Sequence, residues 1–187
     1  MTQHTTHKNE AVSPVVGVML LLIITVLITS LVSSYAGTLS ETKEKAPTLI
    51  ISPEIYRNDT LVWMNIPILS AGDGIHTRDL RIITEWVSLD ATSSWINGGG
   101  TVTGGLDDNV YPKGRGAGVQ GVSGADDFGK YSLLGGTLMY IDTVDGCNAL
   151  FGPDWDKLQE GDIVTLKIIH LPSRATIAEQ KIMVREI

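Results

Sequence analysis

Between Glu10 and Glu41 the chain carries no Asp, Glu, Lys or Arg, so residues 11–40 are uncharged. Within them, residues 15–31 read VVGVMLLLIITVLITSL, apolar apart from Gly17 and a few hydroxyls. This pattern predicts a helix hydrophobic on every face, long enough to match the roughly 20 residues that cross a hydrocarbon core of about 30 Å. A single soluble domain has nowhere to bury such a rod. Ser13 is a good N-cap, and Pro14 then falls at the first helical position, where its missing N–H costs nothing. The helix either stops near Gly37 or runs on toward Lys45, and Pro47 bars it from going further.

After Pro47 the period changes from helical to alternating. Runs at 48–51, 61–69, 80–88, 137–144, 162–171 and 175–187 are rich in β-branched and aromatic residues and bounded by turn formers. In the fifth run Val164, Leu166 and Ile168 share one face and Thr165 and Lys167 the other, as a half-buried strand requires. Leu171-Pro172-Ser173-Arg174 suits a hairpin connection. Pro67 implies an edge strand or a bulge. Six or seven short strands favour an antiparallel β-sandwich, so the fold class is α+β: a long N-terminal apolar helix followed by a sandwich. No helix of adequate length is expected after Lys45, beyond one turn near 154–158. Residues 97–136 hold 13 of the 20 glycines and read as a long surface excursion with room for a short hairpin around 109–111.

Composition narrows the function. The chain has 187 residues, a formal charge of −7, and 11 basic against 18 acidic residues from Ala46 onward. Such an acidic balance argues against a nucleic-acid binder, which would need a basic face. Cys147 is the one cysteine, which excludes an internal disulfide, and the four histidines do not stand at metal-ligand spacings. No phosphate-cradle or nucleophile-elbow motif occurs, and Gly114-Arg115-Gly116-Ala117-Gly118 reads as loop glycine. Asp107-Asp108-Asn109, Asp126-Asp127 and Asp154-Trp155-Asp156 offer oxygen atoms without EF-hand spacing, and acidic surface loops are the better reading. His170 reads as a rim or core histidine and Cys147 as an inert thiol. No catalytic group, cofactor or metal is expected. Asn58-Asp59-Thr60 is a glycosylation sequon, which demands an exposed loop in an exported protein.

Three fates are open to the apolar segment: a secretory signal removed after Ala36, a permanent single-pass anchor, or a retained assembly helix cut on its N-terminal side. Its length is nearly twice that of an ordinary signal core. Residues 10–37, EAVSPVVGVMLLLIITVLITSLVSSYAG, resemble the N-terminal segment of archaeal type IV pilins, in which a polar leader precedes a V-S-P-hydrophobic-hydrophobic-G-V start. The resemblance implies a leader over 1–11, cut by a prepilin peptidase between Ala11 and Val12. It further implies a membrane and filament-core helix over 12–45, starting at Ser13, Pro14 and Gly17, and an extracellular β-sandwich over 46–187. Partners would be further copies of the chain, other pilins and, before assembly, the membrane, with the N-terminus cytoplasmic. The implied function is a structural subunit of a cell-surface filament that serves adhesion. The alternative is a membrane-anchored β-sandwich that binds without polymerising. Thr25, Thr29, Ser33 and Gly37 recur every four residues on one helical face. They form either a packing seam for neighbouring helices or a set of hydroxyls bonded back to their own helix.

Overall fold

The computed structural model describes residues 14–39, 45–89, 94–106 and 110–186, with the side chains of 36–39 excepted. These fall into two units, one within 1–43 and one within 44–187. The first is a single helix, α1 (Pro14–Leu39). Pro14 is its first described residue. The Ser13 cap and residues 40–44, over which the helix was allowed to continue, lie outside the described residues.

The second unit is built from strands whose burial alternates as the sequence pattern requires. In chain order they are β1 (Ile50–Ile51), β2 (Glu54–Arg57), β3 (Val62–Ser70), β4 (Ile75–His76), β5 (Leu80–Leu89), β6 (Trp95–Thr103), β7 (Lys113–Gly116), β8 (Ser132–Leu133), β9 (Thr137–Ile141), β10 (Ile163–His170) and β11 (Ala175–Glu186). A second helix, α2 (Val144–Phe151), separates β9 from β10. Hydrogen bonding runs unbroken through the order β6-β5-β10-β11-β2-β3-β9-β7, with β1 added beside β3, and β4 and β8 pair separately. All pairings are antiparallel except β11 with β2. The α+β class is thus observed. The expected sandwich takes the form of one curled sheet whose two halves share a core, with Ile55, Met64, Ile66 and Met139 from one half and Leu80, Ile82, Val164, Leu166 and Ile168 from the other.

Three differences from the sequence reading have physical causes. Pro67 lies in an interior strand, because β3 is flanked by β1 and β2 on one side and β9 on the other. Its missing N–H is harmless: its carbonyl accepts from Ser52 N, placing the proline opposite the break between β1 and β2. The glycine-rich excursion contains β6, β7 and β8, so residues 97–136 are not a structureless loop. Finally, α2 stands where no helix was expected. Thr143 caps it, its hydroxyl accepting from Gly146 N, and Gly152 ends it at φ 85°.

The glycines of β6 explain themselves once α2 is in place. A Cβ on Gly100 would lie 2.3 Å from the Ala149 carbonyl oxygen and 2.6 Å from that of Leu150, so the helix backbone rests directly on the strand. The final carbonyls of α2, which have no partners inside their helix, are met by β5 instead. Thr84 Oγ1 donates to Leu150 O, and Trp86 Nε1 donates to Phe151 O at 2.9 Å.

Candidate assembly helix

The 22 residues from Pro14 to Tyr35 satisfy the length and polarity needed to span a membrane. At a rise of 1.5 Å per residue they extend about 33 Å, slightly more than a hydrocarbon core. None of the large apolar side chains from Val15 to Tyr35 is less than 44% exposed. No polar stripe marks a face for water, so burying this surface requires lipid or other helices.

Two threonine hydroxyls on the helix are satisfied from within. Thr25 Oγ1 donates to Leu22 O at 2.9 Å, and Thr29 Oγ1 to Thr25 O at 2.9 Å and Val26 O at 3.0 Å. Such back-bonding is how a hydroxyl becomes tolerable in an apolar medium. Whatever lies along Thr25 and Thr29 therefore meets methyl groups and not hungry donors. Gly17 presents bare backbone, with no atom within 4 Å of the place its Cβ would occupy. Ser33 is exposed on the same rod, and Gly37 lies in its last turns. Each four-residue step advances about 40° around the axis, so positions 25, 29, 33 and 37 form an inclined row. The leader, including Ala11 and Val12, lies outside the described residues.

The other candidate residues are dispersed through the β unit. Asn58 sits in the turn between β2 and β3, where its Oδ1 accepts from Thr60 N, Thr60 Oγ1 and Leu61 N at 2.8–2.9 Å. His170 ends β10 almost buried, its Nδ1 facing Ser173 Oγ at 2.8 Å and closing the turn into β11. Cys147 is fully buried, its Sγ 3.0 Å from Val62 O, and burial pushes the thiol up to about 11. Gly114 belongs to β7, beneath the ring of Tyr131. Asp154 pairs with Lys157 at 2.6 Å. Residues 107–109 lie outside the described residues.

One constellation escaped the sequence reading. Asp127, nearly buried, binds Lys113 and, at 2.7 Å, Lys130. Burial alone would raise its carboxyl, but hydrogen bonds from the two ammonium groups outweigh that and hold it below its ordinary value. The cluster ties β7 to the segment before β8, beside the buried Phe128, Tyr131 and Leu133 that anchor the same stretch in the core. No local spacing signals it, since Lys113 and Asp127 are 14 residues apart. Among the described residues no group of three or more His, Cys, Asp or Glu is arranged to hold a metal.

Residues 10–51 match the family described as archaeal type IV pilin, N-terminal. That family is one of structural subunits. No curated protein matches the chain.

Proposed function

We propose, from an N-terminal segment that is that of the archaeal type IV pilins, that this protein is a subunit of a type IV pilus-like filament on the cell surface. The observation that carries the reading is α1: a rod apolar on all sides, exposed along its length and attached to a folded β unit. In the membrane its side chains face lipid, with the N-terminus on the cytoplasmic side. A prepilin peptidase cuts between Ala11 and Val12, and the helix stays with the mature chain. Assembly moves each rod from lipid into a bundle of identical rods and other pilins. Hydrophobicity does not distinguish those two media, so close packing must favour the bundle. Gly17, Thr25, Thr29, Ser33 and Gly37 permit that approach. The β unit then forms the outer sheath, where adhesion takes place and Asn58 offers a glycan acceptor on an exported turn.

Sequencing the mature N-terminus tests this directly. Val12 is the expected first residue. An intact Met1 or Thr2 would favour a plain anchor, and Gly37 a secreted product. Fibres sheared from cells should contain the chain. Its absence from them would overturn the reading.

A further inference from the structure

Along β6, β5, β10 and β11 the outer face mixes polar side chains with the half-buried Ile83 and Ile169, and at one end it turns apolar and exposed. Five large apolar side chains stand there, between 41% and 73% exposed: Val87, Leu89, Trp95, Ile163 and Met183. Strand register makes them contiguous. Ile163 lies directly between Val87 on β5 and Met183 on β11, and Leu89 is paired with Trp95 on β6. Their exposed surface is on the order of 500 Å², in the upper part of what single soluble domains display. Farther along the same face the pattern turns to charge, with Lys167 bonded to Glu85 at 3.2 Å.

We infer that this end of the sheet is where the β unit of one subunit docks on the β unit of the next, a reading that rests on the proposed filament. Charge selects the occupant. On these strands the outer face carries Arg81, Lys167, Lys181 and Arg185 against Glu85 and Glu179, within a segment holding 11 basic and 18 acidic residues from Ala46 onward. The face is mildly cationic and the rest of the unit strongly anionic. Two such faces placed against each other would repel, whereas one placed on the remainder of a neighbouring unit is attracted. The contact is therefore between two different surfaces, the type that propagates into an open helix and does not close as a dimer. A second exposed apolar group, Ile50, Leu69 and Leu134, supplies the counterpart. It gathers where β1, the end of β3 and the turn after β8 meet, with Asp73 beside it in the Ala71–Gly74 turn. Helices packed into a common core hold neighbouring β units at high local concentration, so a patch too small to associate free subunits suffices.

Filament-producing cells provide the test. Because Cys147 is buried, the native chain is a clean background for cysteine cross-linking. A chain carrying both Trp95→Cys and Leu134→Cys should give, after mild oxidation of sheared filaments, a ladder of dimers, trimers and longer multiples, and neither single variant should. Ile163→Asp should lower sheared filament protein at least tenfold while the membrane-bound pool stays unchanged. A dimer from Trp95→Cys alone would overturn the assignment in favour of a two-fold contact. Quenching of Trp95 fluorescence by brominated lipid in vesicles would overturn it in favour of a membrane surface. If native filaments form and neither the ladder nor the Ile163→Asp loss appears, this docking surface is wrong and the filament stands. If the native chain makes no filament, the earlier proposal falls and this one with it.

Discussion

Replacing Gly100 by alanine should unfold the β unit at a lower temperature through a contact far away in sequence. The new Cβ would sit 2.3 Å from Ala149 O and 2.6 Å from Leu150 O, against 3.4–4 Å for an ordinary contact. The C-terminal turn of α2 must then retreat by about 1 Å, since both obstacles are backbone. Retreat carries the Leu150 carbonyl away from Thr84 and strains the 2.9 Å bond from Trp86 to Phe151 O. Overpacking costs about 1–3 kcal/mol, and a buried carbonyl left without its donor about 1–3 kcal/mol more. The lower backbone entropy of alanine returns about 0.5–1 kcal/mol. The net is about 3 kcal/mol, or a Tm lowered by about 6–12 °C for a chain of this size. Thermal unfolding of the detergent-solubilised full chain, followed by tryptophan fluorescence, reads it. Gly121→Ala is the control: its Cβ would meet nothing within 4 Å, so it should leave Tm unchanged or raise it slightly. If Gly100→Ala melts within about 2 °C of that control, the claim that these glycines exist to admit α2 is refuted.

Ser33→Leu and Gly17→Leu should each reduce sheared fibre while the membrane-bound pool persists. Thr29→Val, which removes a hydroxyl bonded only to its own helix, should leave assembly intact; equal fibre from all three would dismiss packing along this row. Asp127 should make the fold acid-labile. Its folded value lies below the ordinary 3.8, so its contribution is complete above that pH and fades as pH falls through the lower folded value. Asp127→Asn should cost about 2 kcal/mol at neutral pH and flatten the fall in Tm below pH 4; an unchanged acid profile would discard the cluster. Cys147, with its thiol near 11, should resist thiol reagents at pH 8 until denaturant unfolds the chain, and ready labelling of the native protein would contradict its burial.

The apolar rod was legible because its requirement is one of composition: every position must avoid charge, and sequence displays that without folding. The longer strands were legible for a similar reason, since Val164, Leu166 and Ile168 write their burial as an alternation. Where the chain's choices answer to distant partners, reading along it failed. Asn97-Gly98-Gly99-Gly100 has poor strand propensity, yet it lies within β6, because Trp86 covers Gly98 and α2 sits on Gly100. Eight residues of α2 were lost for want of length, although Thr143, Asp145 and Gly152 mark both ends. Of the two readings Pro67 allowed, the edge strand fails, because a proline does not tell which side lacks a strand, whereas the pairing of β3 with β1 does shift register, between Ile50 and Ile51.

The docking face was hidden by the same logic that exposed the core. Val87 and Leu89 flank the buried Ser88, and Ile163 precedes the buried Val164, so in sequence they read as ordinary members of apolar runs. Register is what gathers them, by placing the outward, odd-numbered positions of β5 and β10 side by side. For a domain that works alone, such positions would be expected to stay polar to the strand ends, as Glu85, Thr165 and Lys167 are. Apolar residues on both faces at one end of four neighbouring strands mean that the second face is also covered in the working state. The rod and the sheet end thus pose one physical problem at two places, apolar surface that a lone subunit leaves exposed. A helical array of identical copies solves both, since each added subunit covers the rods of its neighbours and one sheet end at the same step.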